Sequence, residues 1–378
     1  MAVKFFISVL FNFLNRFINK SGIFLITAFF VSCTQEEKPI PSREMYFPPI
    51  NSMQWEISTF NELGWNVQEF ENLKMYLESM NTRAFIVLKD GRIVIEEYFG
   101  RTIIGNQAFG RTSQWYWASA GKTLTATLVG IAQQEGKLNI EDPSSDYLGT
   151  SWTNLSPQQE GLIQIKHQLS MTTGLDYLGV DLDCTLPPCL RYRADAGQQW
   201  FYHNAPYTLL EKVVENATGI NYNSYTRQKV GDKIGMGGQW ISQEFNNVYW
   251  STARDMARFG LLILNRGKWE DTEVISDPNY FNQMVSSSQA LNPAYGYLWW
   301  LNGQQSIIFP GISTSLNLSL ASNAPADLIA GMGKNGQFVE VVPSMGLVVV
   351  RMGEAPDNAL VPIVFHNEMW ERLMRVIQ

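Results

Sequence analysis

The sequence predicts an α/β chain of the α+β type. One antiparallel sheet is built from both chain ends and flanked by helices, with an inserted, mainly helical lobe over approximately residues 124–290. Three observations predict it. Two apolar runs, residues 83–89 and 93–99, flank Asp90-Gly91, a dipeptide suited to a two-residue hairpin turn. Near the other end, residues 336–342 and 347–352 straddle Pro343-Ser344-Met345-Gly346 as a second hairpin. The stretch between reads as helices and loops, and strands gathered at the two ends argue against an alternating parallel βαβ array.

The elements follow in order. Residues 1–33 carry two apolar runs, 5–11 and 23–31, separated by Asn15, Arg16, Asn19 and Lys20, and each is too short to span a bilayer. The second run ends in Ser32-Cys33 and then turns polar, which fits a secretory signal. A cysteine at the cut resembles the lipobox of bacterial lipoproteins, which implies acylation of Cys33 and a chain exported and anchored to the membrane by lipid. Residues 34–60, with the Pro-rich and charged part at 36–49, read as a tether to a domain over 61–378. Residues 66–80 form an amphipathic helix with Phe70, Leu73, Leu77 and Met80 on one face. Further helices are expected over 207–216, 252–265 and 361–377, the first two closed by Gly219 and Gly267.

Composition bounds the function. The chain has 378 residues, 45% hydrophobic and 17% charged, enough for one large core or two intimately packed lobes. Its net charge of −7 and lack of basic runs make it a poor nucleic-acid binder. His167, His203 and His366 have no ligand spacing, so neither a metal nor another cofactor is expected. With Cys33 set apart, Cys184 and Cys189 remain, in a proline-containing loop. A disulfide between them is the preferred pairing in an oxidising compartment.

The chemistry centres on residues 115–135, read as a buried helix that ends at Gly136. Ser119 falls in its first turn, with Lys122 three residues on and on the same face. A serine hydroxyl needs a base to become a nucleophile. A lysine supplies one when burial disfavours its ammonium form. The alternative is an N-cap serine beside a snorkelling lysine. Proton transfer to a leaving group needs a third residue, and a phenol serves if a cation holds its pKa down. Tyr-x-Asn occurs at Tyr202-His203-Asn204, in an irregular loop, and at Tyr280-Phe281-Asn282, at a helix start; the loop favours Tyr202. His203 reads as local polar packing, because adjacent residues point apart. Acyl transfer also needs two oxyanion donors. The Ser119 N–H is one, and the glycine-rich strand entry around Lys334, Gly336 and Gln337 is expected to supply the other. Lys334 reads either as a ligand for a substrate carboxylate or the Tyr202 phenolate, or as a solvated turn lysine.

Ser119-x-x-Lys122, Tyr202-x-Asn204 and Lys334-Asn335-Gly336 resemble, in order, the three motifs of the serine β-lactamase and penicillin-binding superfamily. The likeness is strongest to its branch of class C β-lactamases, D-Ala-D-Ala carboxypeptidases and esterases. Asp90-Gly91, Glu135-Gly136-Lys137-Leu138, Asp142-Pro143, Met171-Thr172-Thr173-Gly174-Leu175 and residues 254–260 agree with it. The segment from Tyr295 to Trp300, and the run of Gly336-Gln337 into a strand, are most similar to the 6-aminohexanoate-dimer hydrolase group. The resemblance implies a β-lactamase/transpeptidase-like fold and acylation of Ser119. Lys122 and Tyr202 then share proton transfer, Asn204 and Lys334 contact substrate, and the N–H groups of Ser119 and Gln337 bind the oxyanion. Asn335 stands where a hydroxyl residue is usual, which weakens recognition of a β-lactam or D-alanine carboxylate. Trp115, Trp117, Trp299 and Trp300 read as the wall of an acyl-chain cleft or as core. The expected substrate is a small-molecule or peptide amide or ester. The rivals are a penicillin-binding, carboxypeptidase or β-lactamase activity, and a surface protein that keeps the fold without catalysis.

Overall fold

The computed structural model describes residues 44–359 and 361–378. The expected export signal, the lipidation of Cys33 and the first part of the tether lie outside the described residues. The described part of the tether, residues 44–60, is folded onto the domain rather than loose. Arg258 donates to the carbonyls of Pro48, Pro49 and Ser52, and the buried Trp55 indole donates to Gly91 O at 2.7 Å. A proline-rich segment keeps its carbonyls free of local helix bonds, so they are open to such a clamp.

α1 (Val67–Ser79) is capped by the Asn66 side chain, which accepts from the Gln68 and Glu69 N–H groups, and it buries Leu73 and Leu77. The hairpin of β1 (Thr82–Lys89) and β2 (Arg92–Tyr98) turns on Asp90 and Gly91, both left-handed at φ 48 and 82. That geometry matches the twist of the paired strands. β3 (Gln114–Tyr116), α2 (Lys122–Gln134) and α3 (Leu210–Thr218) follow, then the hairpin β4 (Gln239–Gln243) and β5 (Asn246–Thr252) and helix α4 (Ala253–Leu264). The chain closes with β6 (Trp300–Leu301), β7 (Ile329–Gly333), β8 (Gln337–Val342), β9 (Leu347–Gly353) and α5 (Ile363–Ile377).

The main sheet has six antiparallel strands in the order β2-β1-β9-β8-β7-β6, so the chain ends meet in its interior. α4 covers one face, where Gly260 lets the helix backbone approach Val348 and Val339. α1 and α5 cover the other. There the buried Glu340 carboxylate bonds His366 Nε2 and accepts from the Trp370 indole at 3.0 Å, which fastens α5 to β8.

The inserted lobe is helical in the main but holds a second sheet, in the order β3-β5-β4. β4 exposes every residue except Trp240, so its sequence carries no apolar run to announce a strand. Residues 115 and 116, expected in the Ser119 helix, belong to the strand β3.

Candidate active site

Ser119 sits at a junction, not inside the α-helix. Strand β3 pairs with β5, and the next residue, Trp117, is fixed by its N–H on Tyr249 O at 2.8 Å and its indole on Ser251 Oγ at 2.8 Å. Ala118 then takes a left-handed φ of 48, a costly conformation for a residue with a Cβ. Residues Ala118–Gly121 form a single 3₁₀ turn, and α2 begins at Lys122. The expected first-turn position of Ser119 is therefore corrected: it lies in the 3₁₀ turn after a sharp bend, on the wall of a cleft.

α2 is buried on all sides from Lys122 to Ala132, as its small and apolar residues require. Lys122 is thereby drawn out of water. Its Nζ donates to Ser119 Oγ at 3.1 Å and lies 4.0 Å above the Tyr207 ring and 5.3 Å from the Tyr202 ring centroid. Burial pulls its pKa from 10.5 to about 7, against the opposing pull of Asp183. An amine at that value is a working base at neutral pH.

Tyr202 closes the triangle. Its hydroxyl lies beside Ser119, and its ring stacks on Trp300 with centroids 5.8 Å apart and meets Tyr295 edge-on at 6.2 Å. Burial raises the phenol's pKa well above 10, outweighing the opposing pull of Ser119. This reverses the expectation of a lowered phenol: Tyr202 is held protonated, and among the described residues no cation pulls its pKa down. Tyr280 belongs to the core, with its hydroxyl on Ala126 O at 2.6 Å and its ring against Gly130. His203 is buried, with no partner for either ring nitrogen among the described residues, and desolvation lowers its pKa to about 4.

The cleft holds about 600 Å³ and is lined by Ser119, Lys122, Tyr202, Asn204, Lys334 and Asn335, among others. Asn204 Nδ2 donates to Asp183 Oδ1 at 2.7 Å. Asp183, which the motifs did not flag, lies on the cleft wall one residue before the Cys184–Cys189 disulfide that anchors its loop. Its only sequence signal was that neighbouring cysteine pair. The apolar part of the wall comes from Ile103, Leu182, Val248, Trp250, Pro310 and Val361. Trp115, Trp117, Trp299 and Trp300 are buried core instead, and Trp300 stacks on Tyr202 without lining the cleft.

The third expected motif needs the largest correction. The strand edge against the nucleophile is β7, and its last residue is the point of closest approach. A Cβ on Gly333 would stand 2.7 Å from Trp117 O and 2.9 Å from the Ser119 nitrogen. Lys334, Asn335 and Gly336 form the turn beyond it. Lys334 is exposed on the cleft rim and Asn335 donates to Tyr116 Oη at 2.8 Å. Gly336 and Gln337 do not line the cleft. Gln337 is fully buried, its side chain tied to Gly353 O and N at 2.7 and 3.0 Å. The sequence spacing alone could not tell which glycine of residues 331–336 meets Ser119.

Among the described residues no group of three His, Cys, Asp or Glu is arranged to hold a metal ion.

The beta-lactamase family model matches residues 76–359. A 6-aminohexanoate-dimer hydrolase of Paenarthrobacter ureafaciens is 23% identical over 319 residues, covering 76% of each chain. Two solved structures share the fold. One is a penicillin-binding protein homologue from Caulobacter crescentus, with TM-score 0.63, 13% identity and coverage of 81% of this chain and 97% of that one. The other is a penicillin-binding protein from Bacillus halodurans, with TM-score 0.56, 17% identity and coverage of 75% and 94%.

Proposed function

The chain belongs to the beta-lactamase family, and from that premise we propose that it is a serine hydrolase that cleaves an amide or ester through an acyl-enzyme on Ser119. The observation that carries this reading is the Lys122–Ser119 contact of 3.1 Å at an open cleft, with the lysine's pKa drawn down to about 7. Neutral Lys122 takes the hydroxyl proton as Ser119 Oγ adds to the substrate carbonyl. The oxyanion is met by the Ser119 N–H and by a main-chain amide at the Gly333–Lys334 junction, the segment nearest the nucleophile. Collapse expels the amine or alcohol, which receives the proton from Lys122 by way of the Tyr202 hydroxyl. Water then attacks the acyl carbon by the same route in reverse and releases the acid.

The substrate favoured is an amide or ester; the strand facing Ser119 reads Gly331-Met332-Gly333, and besides Lys122 the cation on the cleft wall is Lys334, at its rim. The amide hydrolase named among the relatives agrees with this. Export and a lipid anchor at Cys33 complete the reading, and the Cys184–Cys189 bond suits that compartment.

The test is covalent labelling with a fluorophosphonate and, separately, with a fluorescent penicillin, followed by mapping of the labelled peptide. A fluorophosphonate adduct on Ser119 that vanishes in Ser119→Ala supports the proposal. A long-lived penicillin adduct without ester turnover would favour a penicillin-binding role. No adduct with either probe on correctly folded protein would refute both.

A further inference from the structure

The turn Lys334–Gly336 is held by bonds that the reaction itself does not use. Asn335 and Gly336 are both left-handed, at φ 64 and 75, a conformation that asparagine tolerates but does not seek. Arg351 reaches the turn from inside the main sheet. Its side chain is fully buried, and its donors are spent on neutral oxygens: Asn335 O at 2.6 Å, Gly336 O at 3.0 Å, Met80 O at 2.8 Å, Glu354 O at 3.0 Å and Thr82 Oγ1 at 3.3 Å. The guanidinium also lies 4.9 Å from the Phe365 ring centroid. Burial lowers its pKa to about 9, so it stays charged at neutral pH.

Gln337 grips the same turn. Its Nε2 donates to Lys334 O at 3.2 Å and Asn335 O at 3.4 Å, besides its bonds to Gly353. Together the two side chains bind every carbonyl of the turn. A peptide unit is planar and trans, so a carbonyl pinned inward aims the N–H of the same unit outward. The orientation of the Asn335 and Gly336 amides is thus set from the interior of the sheet. The turn starts at the residue after Gly333, where a Cβ would stand 2.9 Å from the Ser119 nitrogen.

A buried guanidinium without a carboxylate partner is a poor way to stabilise a sheet. It is a good way to fix carbonyls from three separate segments at once, since its donors are rigid and coplanar. We propose that Arg351 and Gln337 are positioning residues for catalysis at Ser119, a clamp that fixes the Lys334–Gly336 turn directly after the glycine that meets the nucleophile. This rests on the acyl-enzyme reading of Ser119. Neither residue touches substrate: both act through the turn.

The experiment compares Gln337→Met and Arg351→Met with the parent and with Ser119→Ala. It measures kcat and KM on a p-nitrophenyl ester, the fluorophosphonate labelling rate, the pH profile and the thermal midpoint, with kinetics taken well below that midpoint. A displaced backbone donor costs on the order of 10- to 100-fold. The expected result is a fall of that size in kcat and labelling rate, with KM within about twofold and the acidic pH midpoint unmoved, because Lys122 is untouched. Should Arg351→Met fail to fold, Gln337→Met carries the same test. Parental kcat in a folded Gln337→Met, or a loss confined to KM, overturns the clamp while a dead Ser119→Ala upholds the acyl-enzyme. Parental hydrolysis by Ser119→Ala overturns both.

Discussion

Lys122→Met should destroy activity and yet make the protein more stable. In the folded chain the amine has a pKa of about 7 in place of 10.5, so between those values the unfolded chain binds more protons. The penalty for burying this lysine is full below pH 7 and disappears as pH rises towards 10.5. At about 1.36 kcal/mol per tenfold change, it amounts to roughly 4 kcal/mol at pH 7 and roughly 1 kcal/mol at pH 9.5. The only hydrogen bond lost among the described residues is the one to Ser119, and a methionine of similar length fills the space. Urea unfolding of parent and variant at pH 7 and pH 9.5 reads the difference directly. The variant is expected to gain several kcal/mol at the lower pH and little at the higher. The same ionisation should appear in the parent as an acidic limb of kcat/KM near pH 7. A variant less stable than the parent at pH 7, or a parent whose kcat/KM is flat from pH 6 to 8, would mean that Lys122 is charged in the native state. The general-base argument would then fail.

Two more outcomes are expected. Gly333→Ala should lower kcat/KM at least 100-fold and cost about 1–3 kcal/mol, since the new methyl meets Trp117 O and the Ser119 nitrogen inside 3.0 Å; ester kinetics with chemical denaturation checks both. Replacing Cys184 and Cys189 by serine opens a short loop and should cost about 2 kcal/mol. It also frees the loop that carries Asp183, so the acidic limb of the pH profile should shift while Ser119 labelling survives.

Much of this was legible in the chain. Asp90-Gly91 fixed one hairpin, and helix 66–80 was readable to within a residue of α1 at each end because Asn66 caps it. Ser119, Lys122 and Tyr202 were singled out because acyl transfer demands those groups and the family spacing is specific, and the structure brings the three side chains to one cleft. What escaped depended on three dimensions. The Ser119 segment looked helical from 115 onward because Leu124, Leu128, Ile131 and Ala132 recur at helical spacing and nothing in the residues before them marks a break, yet β5 claims the first of that backbone as a strand partner. The turn after β7 misled because its Lys-Asn-Gly mimics the expected motif, while the steric need for glycine falls at Gly333, three residues earlier than Gly336. Asp183 was silent because its effect on Lys122 is electrostatic and leaves no periodic trace.

The sheet's interior joins β1 to β9, strands more than 250 positions apart in the chain. A ribosome adding about 5–20 residues per second takes on the order of 10–50 s to deliver the second after the first. Throughout that interval the edge of β1 that β9 will occupy exposes its main-chain groups and the apolar row from Phe85 to Leu88. A truncation anywhere before residue 347 would make that condition permanent, and its product should be a clear client for holdase chaperones.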